Sequence, residues 1–160
     1  MSKSLRRVRA ALEGAGIDPD IRETALARTA ADAAAALGCA ADAIAKSVIL
    51  RGEGSGDPFL FLTAGGNRVD PNAAARLAGE PLGPADAAFV RARTGFAIGG
   101  VAPIGHPAPP RAFWDPALDA FPVVWAAAGT PHHVFGLPPD RMRALAAATP
   151  GPFTERPGTP

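Results

Sequence analysis

The sequence predicts an α/β fold of the α+β type, a single domain with a mixed central β-sheet and helices packed around it. Three observations carry this. Helical and strand-like segments are intermixed rather than strictly alternating, several strand-like runs come as hairpin pairs, and no repeat or long linker divides the 160 residues. Hydrophobic residues make up 48% and charged residues 19%, enough apolar matter for one core.

The elements follow in order. Leu5, Val8 and Leu12 recur at helical spacing until Gly14 and Gly16 stop the pattern. "IDPDIRET" reads as a short extended piece after a turn. "TAADAAAALG" reads as a helix capped by Thr29, with Asp32 in the capping-box place and Gly38 as its stop. "KSVIL" and "PFLFLTA", joined through "RGEGSGD", predict a hairpin. Asp70-Pro71 opens the next helix and Gly79 closes it; Pro84 and Gly95 bracket another. "PVVWAAAG" and "HHVFG" read as two strands, with Trp125 in the core, and "PPDRMRALAAA" as the last helix. Residues 151–160 read as a flexible C-terminal tail.

Composition excludes several classes. A net charge of +1 gives no strong footprint for gripping nucleic acid. No helix-turn-helix grammar or basic recognition helix points to DNA. Arg6, Arg7 and Arg9, or Arg91 and Arg93, could supply local phosphate contacts or could be solvated helix faces. Cys39 is the only cysteine, so no disulfide forms within the chain and no Cys cluster binds metal. Neither a signal peptide nor an apolar run near the ~20 residues of a membrane span is present, which predicts a soluble cytoplasmic protein.

Motif chemistry is sparse. Lys46-Ser47 lacks the preceding glycines of a phosphate loop, and no G-x-S-x-G nucleophile elbow occurs. His132 and His133 would face opposite ways on a strand and cannot easily share a metal. No cofactor is indicated. Two features remain. Of the basic residues only Lys3 and Lys46 are lysines, and Lys46 lies among apolar neighbours in "AIAKSVIL". "TGFAIGGVAPIGH", residues 94–106, carries Gly99 and Gly100, whose backbone can approach a ligand closely and converge N–H groups on an oxygen. An ordinary helix-to-strand connection would read the same way.

"AIAKSVIL", "LTAGGNRVD", "TGFAIGGVAPIGH" and "VVWAAAGTPHHVF", in this order and spacing, resemble the YbaK/EbsC family of aminoacyl-tRNA deacylases over residues 20–148. These are free-standing relatives of the editing domain inserted in some bacterial prolyl-tRNA synthetases. The resemblance implies a partly barrel-like sheet, an editing domain over residues 1–150, and hydrolysis of the ester joining a wrong small amino acid to tRNA. Proline tRNA is the expected substrate, with prolyl-tRNA synthetase as a possible partner and neither DNA nor membrane involved. Cysteine, 2-aminobutyrate, alanine and serine are the candidate acyl groups. Family members that clear alanine tend to carry Asn directly after the key lysine; Ser47 stands there in this chain, which counts against an alanine specialist.

Carried over residue by residue, the resemblance makes Lys46, Gly99 and Gly100 catalytic. Thr94, Val101, Pro103, Asn67, Thr130 and His132 become substrate-binding, with Arg68 and Asp70 as weaker candidates at the mouth. The chemistry agrees: a tetrahedral oxyanion needs preorganised donors, and N–H groups around Gly99 to Val101 are the candidates. Lys46 is expected to position the ester carbonyl, the ribose or a phosphate, with water or the substrate itself as nucleophile. The alternative is a non-catalytic module with the same pocket that binds RNA, a nucleotide or a synthetase.

Overall fold

The strand Pro58–Ala64 of the central sheet is buried at all seven of its positions, which explains its unbroken apolar run "PFLFLTA". In the computed structural model, which describes residues 2–25, 27 and 29–157, the chain runs as follows. Helix α1 (Lys3–Gly14) precedes β1 (Ile21–Glu23) and α2 (Ala30–Leu37). The hairpin β2 (Ala45–Gly52) and β3 (Pro58–Ala64) leads to β4 (Arg68–Val69), α3 (Pro71–Ala78), β5 (Leu82–Pro84) and α4 (Ala87–Thr94). After the glycine-rich segment come β6 (Arg111–Trp114), β7 (Val124–Ala127), β8 (His133–Leu137), α5 (Pro139–Leu145), β9 (Ala148–Pro150) and β10 (Thr154–Glu155).

The described strands form three sheets, ordered β5-β2-β3-β6-β9, β1-β8-β7 and β10-β4. The first is mixed, since β3–β6 and β6–β9 are parallel and its other pairs antiparallel. An isolated parallel bridge from Ile44 to Trp125 brings the start of β2 beside β7. The expectation of a partly barrel-like sheet is corrected here: the sheets do not close into a barrel.

Alternation along β3 divides the interior. Leu60, Leu62 and Ala64 join Val8, Leu12, Phe96, Trp114, Phe135 and Met142 in the main core. Phe59 and Phe61 face the other way, against Phe113, Ala74 and Phe153. Phe61 stacks on Phe113 at 5.1 Å and meets Phe153 edge-on at 5.0 Å.

Local signals place the helix ends. Thr29 Oγ1 accepts from the Asp32 N–H and Asp70 Oδ1 from the Asn72 N–H, while Gly38, Gly79 and Gly95 end their helices in the left-handed region. Pro84 does not start α4, as expected from sequence. It ends β5, paired with Leu50, and Asp86 caps the helix by accepting from the Phe89 N–H. The C-terminal segment read as a flexible tail begins with packed residues. Gly151 and Phe153 are buried and Thr154–Glu155 pair with Arg68–Val69; residues 158–160 lie outside the described residues. Among the described residues, no helix is long and apolar enough to cross a membrane.

Candidate functional site

A cavity of about 220 Å³ opens where the start of β2 meets β7, the start of β8 and the glycine-rich segment. Most of its wall is small and apolar: Ala27, Ala30 and Ala33 on one side, Ala126, Ala127 and Val134 on another. Trp125, Pro131 and Val101 narrow it. Lys46, Ser47, Thr130 and His133 supply polar side chains and Gly99 exposes backbone. A small apolar pocket with few polar groups suits a small ligand held in one orientation.

Lys46 enters from the second position of β2, where its backbone faces Thr63. Its Nζ donates to the Asn67 carbonyl at 2.5 Å. An ammonium has three donors, so two remain for a ligand. Burial pushes the Lys46 amine below its ordinary range, while the carboxylates of Asp115 and Asp42 pull the other way. Asp115 is itself buried: Oδ2 accepts from the Ala64 N–H and the Asn67 amide, and Oδ1 from the Ala117 N–H.

The glycine-rich segment is anchored from both sides. Arg7 of α1 donates to the carbonyls of Gly95 and Gly105, and its guanidinium lies 4.8 Å over the Phe96 ring. His106 Nε2 bonds the Ala102 carbonyl at 2.6 Å. Gly99 adopts a φ of 88°, which favours glycine. Gly100 packs so tightly against the next loop that a Cβ there would lie 2.9 Å from Thr130 Cα. The Gly100 N–H donates to Ala97, whereas those of Gly99 and Val101 have no protein acceptor among the described residues. Thr130 Oγ1 accepts from the His132 N–H and is hydrogen-bonded to His133 Nδ1 at 2.6 Å. Among the described residues, no group of three or more His, Cys, Asp or Glu could hold a metal ion.

The model of the aminoacyl-tRNA editing domain family matches residues 24–145, the stretch that contains every wall of this cavity. The chain belongs to that family. The uncharacterized protein YwhH of Bacillus subtilis (strain 168) is 31% identical over 114 residues, 71% of this chain and 72% of its own length. A solved structure described as a candidate trans-editing enzyme for prolyl tRNA synthetase is 43% identical, with a TM-score of 0.89 over 97% of this chain and 99% of the other. The hypothetical protein APE2540 is 25% identical, with a TM-score of 0.85 over 93% and 99% of the two chains. As an editing domain, the protein is an aminoacyl-tRNA deacylase.

Of the residues expected at the site, this editing domain brings Lys46, Gly99, Val101 and Thr130 to one cavity. The structure places the others elsewhere. Thr94 is fully buried and ends α4: its Oγ1 donates to the Val90 carbonyl at 2.6 Å and accepts from the Phe96 N–H. Its sequence position before the glycines suggested a ligand contact, but the hydroxyl turns back onto its own helix. Gly100 acts through close packing, since its N–H is already used. Pro103 is buried and faces a different cavity, with Leu60 and His106. Asn67 does not line the pocket; it meets Lys46 through its backbone carbonyl. Arg68 pairs with Glu155 and Asp70 caps α3. His132 is exposed, and His133, one residue on, lines the cavity instead.

Sequence reasoning also missed Trp125 as a wall and Asp115 beneath the lysine. Along β7, Val124 and Ala126 are buried while Trp125 points the opposite way, so period-two alternation held that signal. "WDP" at 114–116 repeats the Asp-Pro grammar recognised at 70–71, and Asp115 does cap a short 3₁₀ turn.

Two outcomes follow. Thr94→Val lowers stability by about 1–2 kcal/mol, read as a lower unfolding midpoint, without a matching loss of deacylation by the folded protein. His133→Ala lowers deacylation about ten-fold, roughly one hydrogen bond's worth, while His132→Ala leaves the rate near native. A larger loss from His132→Ala would reverse this assignment.

Proposed function

We propose that the protein is a trans-editing deacylase that clears a wrong small amino acid from proline tRNA. One observation carries the reading: Lys46, Gly99 and Val101 line one small apolar cavity, and among the described residues the N–H groups of Gly99 and Val101 have no protein acceptor. The acyl group sits against the alanine-lined wall, and the adenosine bearing it stays outside. Water attacks the ester carbonyl carbon; with a cysteinyl or seryl group the side-chain thiol or hydroxyl can attack instead, its proton passing to the expelled ribose oxygen as a cyclic thioester or ester leaves. The two N–H groups take the charge that develops on the carbonyl oxygen, and Lys46 holds the ester against them. When water is the nucleophile, the bond to the ribose oxygen breaks, the water's proton passes to that oxygen, and free amino acid leaves with no covalent enzyme intermediate.

Proline tRNA as substrate is supported by the 43%-identical structure described as a candidate trans-editing enzyme for prolyl tRNA synthetase. Such a protein works in the cytoplasm, alongside a synthetase that produces the mischarged tRNA. Cysteine, 2-aminobutyrate, alanine and serine fit the cavity by size. One methylene changes binding by only ~1–3 kcal/mol, so graded rather than absolute preferences are expected among them. The test is a purified-enzyme assay with these four acyl groups on proline tRNA and one of them on an unrelated tRNA. Release from proline tRNA with at least one acyl group, and slower release from the other tRNA, supports the reading. Equal release from both refutes proline specificity.

A further inference from the structure

We infer that Arg156 is a positioning residue for Lys46, acting through Asn67 from a C-terminal strap outside the family-matched residues. The strap is built into the fold. Phe153 is fully buried and its carbonyl accepts from the Asp70 N–H at 2.7 Å, and β10 pairs with β4. This delivers Arg156 to the turn that carries Asn67.

There one guanidinium nitrogen, Nη1, donates to Asn67 Oδ1 and to Asp42 Oδ2, each at 3.0 Å. Asp42 Oδ1 in turn accepts from the Gly66 N–H at 2.7 Å. The Asn67 side chain is therefore held at both ends, its oxygen by Arg156 and its nitrogen by Asp115. The Asn67 backbone carbonyl, fixed in this way, is the acceptor for Lys46 Nζ. A lysine side chain has four rotatable bonds and settles in one place only if its partner is immobile. The Arg156 side chain is 57% exposed, and exposed ion pairs contribute little stability. Its removal should therefore register at Lys46 more than in unfolding.

The rate prediction rests on the deacylase reading; a second readout does not. Lys3 and Lys46 are the only lysines in the chain, so ¹⁵N-labelled lysine lets the Lys46 amine be titrated directly by NMR. In Arg156→Ala, Nζ gains water and Asp42 loses its counter-charge, and both changes move the Lys46 titration upward from its native position. On mischarged proline tRNA the same variant lowers kcat about ten-fold with KM little changed. Arg156→Lys restores part of both effects, and Glu155→Gln, which removes only the exposed partner of Arg68, changes neither. A Lys46 titration in Arg156→Ala that superimposes on the native curve overturns the inference, whatever happens to the rate. If the native protein deacylates no substrate, the deacylase reading fails and the Lys46 titration still decides the role of Arg156.

Discussion

Lys46→Ala lowers the single-turnover deacylation rate about 10²–10³-fold, the loss typical of one preorganised donor at a developing oxyanion. The fold should survive the change. Lys46 is half-buried at the rim of β2, and its hydrogen-bond partner among the described residues is a backbone carbonyl. Lys46→Arg should recover little, because a planar, wider guanidinium does not reproduce a compact ammonium held at one point. The pH dependence has a definite sign. Burial lowers the Lys46 pKa, and in the proposed mechanism the charged form is the active one. After subtraction of spontaneous hydrolysis, activity is retained below that pKa and lost as pH rises through it, at a pH below the ordinary lysine value of about 10.4. A rate that instead climbs through this limb would mean that Lys46 acts as a neutral base.

Gly100→Ala is the second large effect. The added Cβ would lie 2.9 Å from Thr130 Cα and 3.0 Å from the Gly129 carbonyl oxygen. Both are backbone atoms, so the collision is relieved only by parting the two loops that frame the cavity. Overpacking of this kind costs about 1–3 kcal/mol of stability. Displacing the Gly99 and Val101 N–H groups by a fraction of an ångström to an ångström costs up to about 10²-fold in rate. Gly99→Ala makes the informative contrast. The nearest atom to its Cβ is a Pro131 side-chain carbon at 3.8 Å, so there is room, and the penalty is the φ of 88°, about 1–2 kcal/mol. Melting curves and single-turnover rates on the two variants should show Gly100→Ala losing more activity per unit of lost stability. The opposite ranking would move the functional weight from loop packing to the Gly99 conformation.

The parts of this molecule legible from sequence are those set by local chemistry. Thr29, Asp70, Gly79 and Gly95 mark helix ends because a cap is decided within a few residues of itself. The β2–β3 hairpin is legible for the same reason. What sequence hides is set by distant partners. β6 lies parallel to β3 across a long separation, and β9 and β10 are too short to show a period. Phe153 looks like part of a Pro- and Gly-rich tail until Phe61 and the Asp70 N–H are seen to hold it. The site divides along the same line. Lys46 and Gly99 stand out by residue type, whereas choosing His133 over His132 requires the phase of β8. Asp42, Asp115 and Arg156 meet around Lys46 only through tertiary structure.

The central claim is that this cavity hydrolyses the aminoacyl ester rather than merely holding the end of a tRNA. The most direct measurement is a single-turnover incubation of the purified native protein, without synthetase, with a proline tRNA mischarged with a small amino acid. The account predicts release of the free amino acid and recovery of an uncharged tRNA that can be aminoacylated again. A stable complex in which the tRNA is bound and its ester stays intact would contradict it.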